Sequence, residues 1–130
     1  MPDNLEQIEQ DFLTSWDYIE VFYQKSMRYG ENEKFALPLL SLISEMRAKG
    51  YDTKLRAGHS MYIFIVSRSR YNGLRKGFSS LRIVINQDST MLVRFRTVTL
   101  SELEFETVEL HDELIEMLDK LVTRPIDVPK

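Results

Sequence analysis

Leu81-Arg82-Ile83-Val84-Ile85-Asn86-Gln87-Asp88-Ser89-Thr90-Met91-Leu92-Val93-Arg94-Phe95-Arg96 is the stretch on which the fold turns. Leu81, Ile83 and Ile85 alternate with Arg82 and Val84, and Met91, Val93 and Phe95 alternate with Arg94 and Arg96. Period two puts successive side chains on opposite faces, and Asn86 to Ser89 is rich in turn formers, so the segment reads as an antiparallel hairpin with one apolar face. Pairing Ile85 with Met91 sets Ile83 against Val93, Leu81 against Phe95, and Arg82 against Arg94 on the other face. Like charges placed opposite each other cost a few tenths of a kcal/mol or more, so this register calls for an acid or an anion nearby.

The chain that follows supplies acids. Leu103, Phe105 and Thr107 alternate with Glu102, Glu104 and Glu106, which favours a further strand to Val108, although Ser101-Glu102-Leu103-Glu104 also matches a helix-capping pattern. Setting Thr97 opposite Leu103 places Phe95 on Phe105, Arg96 on Glu104 and Arg94 on Glu106. Ordinary sheet chemistry then accounts for these arginines.

Upstream, Tyr51, Thr53 and Leu55 alternate with polar neighbours, Ala57-Gly58-His59 reads as a turn, and Met61 to Val66 is an apolar run, which predicts a first hairpin. Before it the period is helical. Leu5, Ile8, Phe12, Trp16, Ile19 and Tyr23 fall on one stripe of a helix over residues 4–28, with Glu6, Glu9 and Asp11 near its positive end. Leu39, Leu40, Ile43 and Met46 predict a second helix that begins at or just before Pro38 and closes at Lys49-Gly50. Leu114, Ile115, Leu118, Leu121 and Val122 predict a third over 113–122, ended before Pro125, with 123–130 an extended tail. The expected fold is a single α+β domain over residues 1–130: two N-terminal helices, about five strands in a mostly antiparallel meander, and a C-terminal helix packed on one face.

Charge is segregated along this plan. From Met46 to Val98 there are eleven lysines and arginines against Asp52 and Asp88, a net of +9 in a chain whose total is −3. Such blocks neutralise one another within a fold or present a basic surface to an anion. A pI near 5.4 argues against nucleic-acid coating by net charge, so any such role belongs to a local patch. The sharpest patch is Ser67-Arg68-Ser69-Arg70-Tyr71-Asn72-Gly73-Leu74-Arg75-Lys76-Gly77, where Asn-Gly suits a tight hairpin turn. Arg68, Arg70, Arg75 and Lys76 there offer phosphate contacts and Tyr71 a stacking ring, while the plainer reading is a solvated or internally neutralised loop. Phosphate on Ser79 would meet the same cations.

Other chemistry is thin. The chain has no cysteine, which excludes disulfides and thiolate sites and suits a reducing cytoplasm. No basic-then-apolar leader stands at the N-terminus, and the apolar run at 61–66 is far short of the roughly 20 residues that cross a bilayer, so an intracellular protein with no membrane role is expected. His59 and His111 lie in no metal-binding pattern, and His59 beside Ser60 lacks a nucleophile elbow. Glu109, Asp112, Glu113 and Glu116 suit a solvated helix start better than a cation site. No cofactor, metal or catalytic residue is expected. Phe12, Trp16, Phe22 and Tyr23 crowd the first helix, and Phe22 and Val21 fall off its buried stripe, which suggests a second face for a partner. The expected function is a non-enzymatic protein-binding or adaptor domain, with self-association in view. The alternative is a nucleic-acid or phosphate-ligand module built on the arginine hairpin.

Overall fold

A computed structural model describes residues 5–28, 30, 33–60, 63–69, 79–86, 90–96, 102–107 and 110–126. Helices α1 (Leu5–Ser26) and α2 (Glu33–Ala48) lead through a 3₁₀ helix (Tyr51–Thr53) into five strands: β1 (Arg56–Ser60), β2 (Ile63–Ser67), β3 (Ser80–Ile85), β4 (Met91–Arg96) and β5 (Glu102–Thr107). Helix α3 (Asp112–Val122) follows. The strands pair in sequence order, each antiparallel to the next, so the sheet is the expected meander. The class is α+β as the sequence implies.

One face of the sheet carries the core. Ala57, Phe64, Val66, Leu81, Ile83, Met91, Val93 and Phe95 share it by alternation, and all are buried with Trp16, Ile19 and Tyr23 of α1, Leu39, Ile43 and Met46 of α2, and Leu114, Leu118 and Leu121 of α3. All three helices therefore pack on that face. Trp16 and Tyr23 meet Phe64 edge to face, with ring centroids 5.8 and 6.4 Å apart.

Two hydrogen bonds fix where α1 lies. The indole Nε1 of Trp16 donates to the Leu55 carbonyl at 2.8 Å, and Ser15 Oγ accepts the Ala57 N–H at 2.9 Å while donating to the Phe12 carbonyl at 2.6 Å. Strand β1 pairs on its other side with β2, so the helix satisfies a backbone donor that the sheet edge would leave open. Arg47 of α2 ties the same layer together. It bonds Asp17 and Asp52 at 3.0 Å each and also Glu20, all four groups lying within α1, α2 and the 3₁₀ helix. Burial works against its charge, but the Asp52 and Asp17 hydrogen bonds and the neighbouring Glu20 carboxylate more than offset this and hold the guanidinium above its ordinary value.

The first expected hairpin is corrected. Tyr51 to Thr53 forms a 3₁₀ helix rather than a strand, and the supposed turn Ala57-Gly58-His59 lies inside β1. The cause is tertiary. Gly50 adopts a left-handed φ of 87°, the Lys54 and Leu55 amides both bond the Tyr51 carbonyl, and Tyr51 Oη donates to Asp119 Oδ1 of α3 at 2.7 Å, a use of the segment that its alternation did not encode. Burial first, then the Asp119 carboxylate, pushes the Tyr51 hydroxyl up to about 12.

Helix α2 begins at Glu33, not at Pro38, which lies inside it. Pro38 withholds only the amide that would bond the Lys34 carbonyl in the next-to-first turn, while Leu39, Leu42, Ile43 and Met46 beyond it are at most 1% exposed and hold the helix in place.

The β4–β5 register is shifted by two residues from expectation: Phe95 pairs with Leu103, Val93 with Phe105, Arg94 with Glu104 and Arg96 with Glu102. A slip of two leaves each residue on its expected face, and because the glutamates repeat every second residue each arginine still lies opposite one in register. The β3–β4 register is as read, with Leu81 on Phe95, Ile83 on Val93 and Arg82 on Arg94. Segment 102–107 is a strand, and α3 starts one residue early, at Asp112, capped by His111 Nδ1 accepting the Glu113 N–H at 3.2 Å.

Removing the Ser15 hydroxyl isolates the Ala57 donor. Ser15→Ala should lower the unfolding free energy by about 1–2 kcal/mol, the cost of stranding one buried backbone group. Urea denaturation followed through the single tryptophan is the check.

Candidate functional site

Of the five residues that the sequence singles out for anion binding, Arg68 is described, and Arg70, Tyr71, Arg75 and Lys76 lie outside the described residues. Arg68 is a structural clasp. Its Nε donates to the Arg124 carbonyl at 3.0 Å, just past the end of α3, and its Nη1 donates to the Lys54 carbonyl at 2.6 Å, just past the 3₁₀ helix. It thereby joins three segments at the end of the sheet from which residues 70–78 depart. Both acceptors are neutral carbonyls, and burial pushes the guanidinium down from its ordinary value.

The surroundings of this corner are serine-rich. Ser67, Ser69, Ser79 and Ser80 are all buried, and the Ser69 amide donates to Ser67 Oγ at 3.3 Å. Ser67 and Ser80 are partners in register, so Arg68 and Ser79 follow and precede that pair just outside β2 and β3. Ser79 Oγ and Arg124 Nε are buried with no hydrogen-bond partner among the described residues. Sequence reading missed Arg124 because its part in the corner comes from where α3 ends, a tertiary fact.

The sheet's other face is the second candidate. Alternation places Gly58, Ile63, Ile65, Ser67, Ser80, Arg82, Val84, Leu92, Arg94 and Glu106 on it, opposite the helices. Ile63, Ile65, Val84 and Leu92 are half-buried, and none packs against the core cluster. Among the described residues no helix or strand lies over them. Arg82 sits between Ile65 and Arg94 in register, and its Nε is buried without a hydrogen-bond partner among the described residues.

A third feature lies where α1 meets β1. Phe22 stacks on His59 with ring centroids 3.8 Å apart and planes 14° from parallel, and Tyr23 approaches the same imidazole edge-on at 6.4 Å. His59 Nδ1 and Tyr23 Oη are buried without partners among the described residues, and burial pushes both pKa values toward the neutral form, His59 down and Tyr23 up. The aromatics of α1 divide accordingly. Phe12, Trp16 and Tyr23 are core, Phe22 half-covers His59, and Tyr18 and Val21 are exposed at 64% and 45%.

Among the described residues there is no cluster of three or more histidines and carboxylates fit to hold a metal, and no helix is long and apolar enough to cross a membrane. No family model matches this chain, and neither a curated protein nor a solved structure matches it.

The half-buried imidazole makes stability depend on pH. Its folded value lies below the ordinary 6.5, so between the two the unfolded chain binds the extra proton. Stability should fall as pH drops through 6.5 toward the folded value and level off below it. His59→Phe, which keeps the stack on Phe22, should remove that part of the slope in urea unfolding measured from pH 7.5 to 5.

Proposed function

We propose that this chain is a protein-binding domain rather than an enzyme, and that its helix-free sheet face seats a second copy of itself. The observation that carries the reading is the apolar group Ile63, Ile65, Val84 and Leu92 on the face opposite all three helices. A sheet built to stand in water on one side usually alternates apolar with polar residues, whereas here the wet face has its own apolar centre.

The charge pattern around that centre favours self-pairing. Arginines 82 and 94 lie on β3 and β4, and β5 contributes the exposed Glu106, so the face carries both signs in adjacent strips. A two-fold arrangement can lay the basic strip of one copy on the acidic strip of the other around an apolar contact, which is the self-complementarity an isologous interface requires. Gly58, on the outer side of the edge strand β1, leaves Ile65 without a neighbouring side chain at that register position and keeps the approach flat. Absence of cysteine suits the cytoplasm, which we take as its location.

Sedimentation equilibrium should show a reversible dimer at micromolar concentrations. Leu92→Glu and Ile65→Glu, each adding a charge to the apolar centre, should weaken association by tenfold or more and leave the helical circular dichroism unchanged. A wild-type chain that stays monomeric to about 200 μM overturns the reading.

A further inference from the structure

We infer that α3 is a lid, latched at its C-terminal end by Tyr51 and Arg68, that leaves the sheet as one unit while the rest of the core stays closed. The fixed side of the latch is the 3₁₀ helix. Arg47 Nε of α2 donates to Asp52 Oδ2 at 3.0 Å, and Trp16 Nε1 of α1 donates to the Leu55 carbonyl at 2.8 Å, so this short segment is held to both N-terminal helices. Two of its groups then reach the end of α3. Tyr51 Oη donates to Asp119 Oδ1 at 2.7 Å, and the Lys54 carbonyl accepts Arg68 Nη1 at 2.6 Å while Arg68 Nε donates to the Arg124 carbonyl at 3.0 Å. Arginine suits this bridge because its planar fork aims several N–H groups at once, and because a cation is favoured near the negative end of a helix. Arg68 directly follows β2, which is paired on both sides, so the clasp too is rooted in the body.

The moving side is built to come away whole. The first turn of α3 is capped from within, His111 Nδ1 accepting the Glu113 N–H at 3.2 Å and the His111 carbonyl accepting the Ile115 N–H at 2.9 Å, and both bonds survive if the helix lifts. Its contribution to the core is one stripe, Leu114, Met117, Leu118 and Leu121. Lifting it breaks no strand pairing, since the ladder from β1 to β5 uses none of its residues, and the ring contacts of Trp16 and Tyr23 with Phe64 stay in place. Helix α1 has no such freedom, because its departure strips partners from the backbone at Leu55 and Ala57. The core therefore parts first between α3 and the strand it packs on, β3, whose core face carries Leu81 and Ile83. This device lies on the helix side of the sheet and does not rest on the dimer reading.

The test is native-state hydrogen exchange of the full chain at low urea concentrations. The amides of Leu118 and Leu121 should exchange through one shared opening, about tenfold or more frequent than the opening that frees Val66 and Ile83, and with a weaker urea dependence because less surface is bared. Tyr51→Phe and Arg68→Met remove the latch bonds and keep the apolar stems, so each should make the α3 opening about tenfold more frequent. Global unfolding breaks the same bonds, so Val66 and Ile83 lose protection by a similar factor, and the deciding quantity is the α3 opening itself. Should Arg68→Met fail to fold, Tyr51→Phe, which loses a single oxygen, decides alone. Two results overturn the inference. If Leu118 and Leu121 exchange only together with Val66 and Ile83, α3 is an inseparable part of the core; if a folded variant leaves the α3 opening unmoved, the bonds it lacks are not the latch.

Discussion

The bonds from Ser15 and Trp16 to the backbone at Ala57 and Leu55 are the constraint on which the arrangement rests. Strand β1 is an edge, and an edge strand with an open donor invites further pairing. By satisfying that donor from the helix side, α1 becomes the lateral wall of the core and stands over one face of the sheet. Helix α2 then joins α1 through Arg47, and α3 joins the 3₁₀ helix through Asp119 and Tyr51, so all three helices are committed to the same side. Among the described residues, the opposite face is left to the sheet alone.

That commitment resolves the charge segregation seen along the chain. The acidic first helix and the basic middle do neutralise each other at Arg47, where three carboxylates converge. The arginines of the sheet are handled otherwise. Arg94 and Arg96 lie opposite Glu104 and Glu102 in register, whereas Arg82 lies opposite Arg94. Arg68 is spent on carbonyls. Cations bound to neutral acceptors keep their charge, so the positive potential of the middle block persists at the sheet end where the Arg68 side chain bonds the Arg124 carbonyl.

How far the sequence disclosed this depends on which interactions are local. The stripe from Ile8 to Tyr23 and the alternation from Leu81 to Phe95 are set by burial of one face, and both elements and the β3–β4 register were legible. Residues 51–59 were not, because Tyr51 and Leu55 are anchored through contacts to α3 and α1 that override a period-two pattern. The two-residue slip of β5 was equally hidden: a strand with a glutamate at every second position offers the same faces in either register. For the candidate sites, Arg68 was legible only as one cation of a basic hairpin, because its partners come from positions 54 and 124, which no spacing rule connects. Ile65, Val84 and Leu92 looked like ordinary strand residues until the helices were seen to share one side.

Hydrogen exchange at the Ala57 amide tests this account most directly. Residues on an unprotected sheet edge exchange by local fluctuation, whereas a donor held by Ser15 Oγ can open only when α1 leaves the sheet. The account predicts that Ala57 exchanges as slowly as Val66 and Leu81 in the sheet interior. Exchange at the rate of an open edge strand, with those interior amides still protected, would contradict it.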